Sequence, residues 1–223
     1  GSPKLNYNNW FAIATPSKYY DLMNAKEFIE ITNEKLTNIN LAQNAFETID
    51  PTSKQVVDHD WQKEVFRSAF QMNHALSMSG GTDKTNYFFS VGYADLEGIS
   101  DENSQKKYSV RGKLEQKAFN DRLTLGVNTA LTHTTNRGFN NSESGLSGNV
   151  GGALYAFPNV PAMWADGSYN LSSDAQSLGP GANTRPIYGN YTNQRWVLDH
   201  NIYKNAALNF SGSGFANLEI IKG

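Results

Sequence analysis

Between Tyr87 and Thr132 apolar and polar side chains take turns, and few folds can use a chain patterned that way. Tyr87, Phe89, Val91 and Tyr93 alternate with Phe88, Ser90, Gly92 and Ala94. Tyr108, Val110, Gly112 and Leu114 then alternate with Ser109, Arg111, Lys113 and Glu115, and Leu123, Leu125, Val127, Thr129 and Leu131 with Thr124, Gly126, Asn128, Ala130 and Thr132. A β-strand sends successive side chains to opposite faces, so the segment from Tyr108 has one oily face and one strongly charged face, and the other two repeat the alternation. A soluble sandwich tolerates such alternation. Several long strands of this kind in a row, hinged by tight turns, suit a membrane barrel better.

The connections point the same way. The pattern predicts strands at about 5–14, 73–79, 85–98, 106–119 and 123–134, with a sixth beginning near Phe215. Gly80-Gly81-Thr82-Asp83-Lys84 and Asn120-Asp121-Arg122 read as tight turns. Long connections, about 15–72 and 136–217, lie between other strands. Asn24-Ala25-Lys26-Glu27 has the form of a capping box, with Phe28 and Ile31 continuing an apolar stripe, so a helix is expected over 25–36. A second short helical pattern carries Trp61, Val65, Phe66 and Ala69. Outer-membrane barrels combine short turns on one side with long loops on the other. The expected fold class is therefore all-β with short loop helices: an antiparallel up-and-down meander, part of a large transmembrane β-barrel.

Composition narrows the function. A net charge of −2 and a pI near 6.1 give no basic footprint for nucleic acid. With no cysteine there is no disulfide framework, thiolate metal site or cysteine nucleophile. Mean hydropathy is −0.55 and no apolar run approaches 18 residues, so no transmembrane helix is expected; a barrel, whose strands turn half their residues to lipid, is compatible with that. Gly1-Ser2 has the look of a cloning scar, and 218–223 has the look of a strand cut short, so a piece of something longer is expected.

Ordered runs along the chain resemble one family. Asp60-Trp61-Gln62-Lys63-Glu64-Val65-Phe66-Arg67, then Asn73 to Tyr87 with Ser79-Gly80-Gly81-Thr82-Asp83-Lys84-Thr85-Asn86-Tyr87 at its end, resemble the SusC/RagA group of TonB-dependent transporters. Gly92-Tyr93-Ala94-Asp95-Leu96-Glu97-Gly98-Ile99, Tyr108-Ser109-Val110-Arg111, Lys4-Leu5-Asn6-Tyr7-Asn8 and Leu22-Met23-Asn24-Ala25-Lys26-Glu27-Phe28 extend the match, which is weakest over 139–216. The resemblance implies a plug inside a barrel of about 22 strands, in the outer membrane of Bacteroidetes-type bacteria. It implies import of a glycan or peptide beneath a SusD-like surface lipoprotein, powered by TonB. On that reading residues 1–223 are the N-terminal portion of the barrel, about its first quarter, and the plug, TonB box and remaining strands lie outside the chain. No cofactor is implied.

Candidate site residues follow. Arg111, Lys113 and Glu115 would line the lumen, solvating it or pairing with each other and the plug. In the long connection, aromatic residues sit among amides and carboxylates, as in Trp164-Ala165-Asp166 and Asn193-Gln194-Arg195-Trp196. Sugar rings stack on aromatic faces while amides and carboxylates take their hydroxyls, so Trp164, Asp166, Tyr169, Tyr188 and Trp196 are the candidate ligand contacts. Asp58-His59-Asp60 is dense in ionisable groups, but adjacent positions point apart, and a polar loop before a capped helix explains it. No metal motif and no catalytic pair stand out. The contrasting expectation is a secreted β-sandwich that binds carbohydrate.

Overall fold

The computed structural model describes residues 2–138, 149–172, 177–179, 191–200 and 203–221. Its elements run β1 (Lys4–Ala14), α1 (Ala25–Asn38), α2 (Trp61–Val65), β2 (Ala69–Gly81), β3 (Thr85–Glu97), β4 (Ser104–Ala118), β5 (Leu123–Gly138), α3 (Asn149–Tyr155), α4 (Gln194–His200) and β6 (Tyr203–Leu218). The six strands pair in sequence order, each antiparallel to the last, in one sheet. A sandwich requires a second sheet packed about 10 Å away. Among the described residues there is one sheet, so the sandwich expectation is withdrawn.

Register turns the alternation into rows. Tyr7, Leu76, Val91, Val110, Leu131 and Phe210 are direct neighbours across all six strands. All six side chains are exposed, by 37% to 71%. Two residues nearer the long connections the row reads Asn9, His74, Tyr93, Tyr108, His133 and Leu208. Rings touch along it: Tyr93 to Tyr108 at 5.0 Å and Tyr108 to His133 at 6.5 Å between centroids, with the Tyr7 hydroxyl 2.6 Å from His74 Nδ1. The opposite face carries Asn6, Ser77, Ser90, Arg111, Ala130 and Ser211 in one row. Apolar and aromatic side chains dominate one face and small or polar ones the other, although Trp10, Phe88 and Phe215 also lie on the polar face.

Strand limits differ from expectation by more than two residues at three places. β2 starts at Ala69 rather than 73, because α2 closes at Val65 and Phe66 is already extended. β5 continues to Gly138. β6 starts at Tyr203 rather than Phe215, so the last long connection is 139–202 and not 136–217. Its Ala, Gly and Ser residues hide the period, yet Gly126 faces Phe215 in register, and that ring lies so close that a methyl group on Gly126 would overlap it.

The buried apolar cluster is in the connections, not the sheet. Trp61, Val65, Ala153, Val160, Ala162, Leu178 and Leu198 form it, with Phe66, Phe157 and Tyr191 packed around it. It joins α2 of the first connection to α3 and α4 of the last. The expected capping box on α1 is present, with the Glu27 amide donating to Asn24 Oδ1 at 2.9 Å and the Asn24 amide to Glu27 Oε2 at 3.0 Å. Gly151 and Gly152, expected in a loop, lie within α3, where Gln194 packs directly against Gly152 and leaves no room for a side chain. No helix among the described residues is long and apolar enough to cross a membrane.

Candidate functional site

Tight turns at 82–84 and 119–122 leave the sheet at one edge, and every longer connection leaves at the other. The loop body at that second edge is held by side-chain amides acting on backbone. Asn193, fully buried, donates to the carbonyls of Ala162 (2.7 Å) and Asn170 (3.0 Å) and accepts from the Trp196 amide at the start of α4 (3.1 Å). Asn170 donates to the carbonyls of Pro161 and Gly179, Asn159 to that of Phe46, and Gln62 both donates to and accepts from the Tyr20 backbone. Amides expected to meet sugar hydroxyls are thus occupied in building the body. Buried backbone groups need partners, and these residues supply them where no ladder runs.

Ions tie the body to the sheet rim. Arg195 Nε and Nη2 bind the two oxygens of Asp199, and its Nη1 donates to Asp101 Oδ2 (3.0 Å) and the Glu64 carbonyl (3.3 Å). Asp101, in the β3–β4 connection, also pairs with Arg67 at 3.2 Å. Burial works against the Arg195 charge, but the two carboxylates outweigh it and raise its pKa further. Burial likewise pushes Asp199 up; Arg195 and the Tyr169 hydroxyl overturn that and hold it below the usual carboxylate range. Donation to Asp199 at 2.8 Å raises Tyr169 above the usual phenol range. Neither Arg195 nor Asp199 stood out from the sequence, because an Arg-x-x-x-Asp spacing on a helix is ordinarily a surface pair.

The sequence-nominated aromatics divide. Tyr169 and Trp196 converge on His200: Trp196 stacks on its ring at 4.6 Å and 11°, and Tyr169 meets it edge-on at 5.4 Å. Trp196 stays partly exposed. Trp164 and Asp166 lie on the small hairpin that ends at Tyr169, closed by the Met163–Tyr169 bridge. Asp166 accepts from the Ser168 hydroxyl and amide, which hold its pKa low, so its carboxylate shapes the turn. The Ala165 amide donates to Asp50 Oδ2 at 2.8 Å, anchoring the hairpin to the first connection. Tyr188 lies outside the described residues. Phe157 packs between Phe28 and Tyr191 and belongs to the core rim.

Asp58, His59 and Asp60 hold structure rather than chemistry. Asp58 accepts from the Ala25 amide (2.9 Å), Asp60 caps α2 through the Gln62 amide (3.1 Å), and His59 lies 3.2 Å from Glu64 and edge-on to Trp61. Beside them opens a cleft of 540 Å³ lined by Tyr20, Phe28, Asp21, Lys63, Tyr155 and Phe157 among others. This cleft was not foreseen, since it joins the first connection to α3. Arg111 and Lys113 edge a shallower hollow of 350 Å³ on the polar face of the sheet, with Lys113 3.8 Å from Glu115.

Acid and alkali should both loosen the Tyr169–Asp199–Arg195 contact. Asp199, lowered in the fold, contributes stability that is present above its unfolded pKa of about 3.9 and lost as pH falls through the folded value. Asp50, lowered chiefly by the Ser53 amide, adds a loss of the same sign. Tyr169, raised in the fold, contributes below about pH 10 and ceases to as pH rises through its folded value. Hydrogen exchange in α4 should be level between about pH 4 and 10, after correction for intrinsic rates, and rise outside. A steady change across neutrality would show that other groups govern α4.

No family model matches the chain. The TonB-dependent receptor SusC of Bacteroides thetaiotaomicron is 25% identical over 171 residues, 77% of this chain and 16% of that protein. A TonB-dependent receptor of Formosa agariphila is 24% identical over 177 residues, with the same two shares. Among solved structures, the RagAB peptide importer in its closed-closed state covers all of this chain with 27% of its own, at a TM-score of 0.69 and 21% identity. The RagAB peptide transporter gives 0.68 at 21% identity. The chain spans about a sixth of the length of the curated relatives it matches. The sheet is thus an up-and-down portion of a large transmembrane β-barrel, and the likeness is to SusC/RagA-type TonB-dependent transporters.

Proposed function

We propose that this chain is the N-terminal portion of the barrel of an outer-membrane transporter that imports a nutrient with energy from TonB. The carrying observation is the polarity of the sheet: an exposed apolar face bounded by an aromatic row, a polar opposite face, and one loop body at one edge. The apolar face then meets lipid, and Arg111, Lys113 and Glu115 line the lumen against a plug outside this chain. The loop body faces outward, where nutrient arrives before transport. Binding and passage need no covalent chemistry, so no catalytic group is assigned. The nutrient is a glycan or a peptide, and a SusD-like lipoprotein closes over the mouth.

Within the loop body, the partly exposed Trp196, Tyr169 and Trp164 offer stacking surface to ligand or lid. Trp196 is the best placed, since its ring rests on His200 and outside the buried cluster. In the full-length receptor, Trp196→Ala or Trp164→Ala should weaken ligand or lid binding by at least about 1 kcal/mol, with assembly unchanged. Calorimetry and uptake read this directly. Normal affinity and uptake at normal surface levels would reduce these rings to loop braces.

Residues 1–223 expressed alone should require detergent. Leu5, Phe11, Ile13, Leu208 and Phe210 are all more than half exposed, and β1 and β6 each present an unpaired edge in this sheet. A monodisperse, cooperatively melting monomer in plain buffer would count against the barrel reading of the apolar face.

A further inference from the structure

The exposed apolar face does not end at its aromatic row. On β3, Asp95 follows Tyr93 by two residues; on β4, Lys106 precedes Tyr108 by two; on β5, Arg137 follows His133 by four, and Lys204 of β6 stands opposite Arg137. All share the parity of Val110, so all lie on the outer wall. At about 3.3 Å per residue and a typical barrel tilt they stand roughly 5–10 Å above the rings, the depth of a headgroup layer. Here the wall has a hollow of 420 Å³. Arg67, Lys106, Arg137 and Lys204 supply its cations; Asp95, Glu97 and Glu102 are its carboxylates.

Among the described residues three of these cations are tethered and one is not. Lys106 lies 3.2 Å from Asp95, Arg67 3.5 Å from Glu97, and Arg137 binds Glu102. Asp101, which also reaches Arg67, gives its other oxygen to Arg195. Lys204 has no carboxylate partner among the described residues, and the buried Nε atoms of Arg67 and Arg137 have no hydrogen-bond acceptor there. Asp95 Oδ1 and Glu102 Oε2 are likewise without a hydrogen-bond donor there, but four lining cations face three lining carboxylates, so the lining carries one net positive charge.

We propose that this hollow binds the phosphate of an anionic lipid headgroup on the outer wall of the barrel. Guanidinium and ammonium donors around one cavity match phosphate oxygens, and basic clusters beside a membrane surface recognise anionic headgroups. The apolar and aromatic wall directly beneath gives the acyl chain a place to lie, which a soluble phosphate would not use. The proposal rests on the barrel standing in a bilayer with its loop body outward, and is independent of the nutrient.

The test uses the full-length receptor in mixed micelles with phosphatidylglycerol, counting retained lipid by native mass spectrometry. Lys106→Gln with Lys204→Gln should weaken retention about tenfold or more. The Lys106→Arg, Lys204→Arg pair should retain lipid normally, as should Lys107→Gln, whose lost charge lies on the polar face. If the glutamine pair fails to assemble, Lys204→Gln alone removes no ion pair found among the described residues and should still show a clear loss. Undiminished retention in the glutamine variants, or an equal loss in Lys107→Gln, overturns the site. Displacement of the lipid by an equal concentration of inorganic phosphate assigns it to a soluble anion and overturns the lipid. A label on Val110→Cys separates the two readings, since loss of lipid contact at that position strikes at the membrane placement instead.

Discussion

Trp61→Ala should unfold the loop body and leave the sheet standing. Trp61 is 2% exposed, its ring lies in the buried cluster, and its Nε1 donates to the Phe157 carbonyl at 3.0 Å. Truncating a buried tryptophan costs about 3–5 kcal/mol through lost burial and the cavity left behind. The orphaned carbonyl adds to that. Among the described residues seven buried side chains make up the cluster, so the loss of its largest member is felt throughout it. In the full-length protein, hydrogen exchange and protease nicking should rise together over 15–68, 149–172 and 191–200, while heat-modifiable gel mobility still reports an assembled barrel. Protected connections in the variant would mean that something beyond this cluster holds them.

The sheet should respond to a different insult. Val110→Arg places a charge in the middle of the apolar row, between Val91 and Leu131. At the bilayer midplane that costs about 2–4 kcal/mol. Ser109→Arg puts the same group on the polar face, beside Gly92 and Thr132, and should cost far less. Denaturant titration of the receptor refolded into vesicles measures both. Equal penalties, or a larger one at Ser109, would invert the assignment of the two faces.

These two sensitivities were unequally legible in the sequence. Strands β3 to β5 were plain because large apolar residues recur on one parity while the other is mostly small, polar or charged; Val110 and Arg111 declare their faces without a structure. β6 concealed the same alternation because Ala206, Gly212, Gly214 and Ala216 carry almost no hydrophobic signal at positions that share Phe210's face. Its partner β5 supplies the missing bulk and fixes the register. The loop body was legible only at its caps, Asn24 and Asp60, where short-range chemistry decides. Its interior depends on contacts between residues far apart in the chain. Asn193 and Gln194 looked like ligand donors by composition and prove to be buried braces. Asp199 carries no local signal, and is the point where Tyr169 and Arg195 meet. The cleft beside Asp58 belongs to no single segment, and no local pattern announces it.

The distance along the chain that makes the loop body hard to read also gives it a place in time. Trp61 meets Phe157 across 96 residues, and Arg195 meets the Glu64 carbonyl across 131. Strands β2 to β5 occupy the interval. Closing so long a stretch of free chain is entropically costly, but each hairpin that zips shortens it. The clasp therefore shuts after the strands beneath it have paired. A contact made that late is missing from the transition state for strand pairing, so it slows dissociation of the wall without hastening its formation. The loop body thus acts as a lock, joining the β1–β2 and β5–β6 connections of the same sheet.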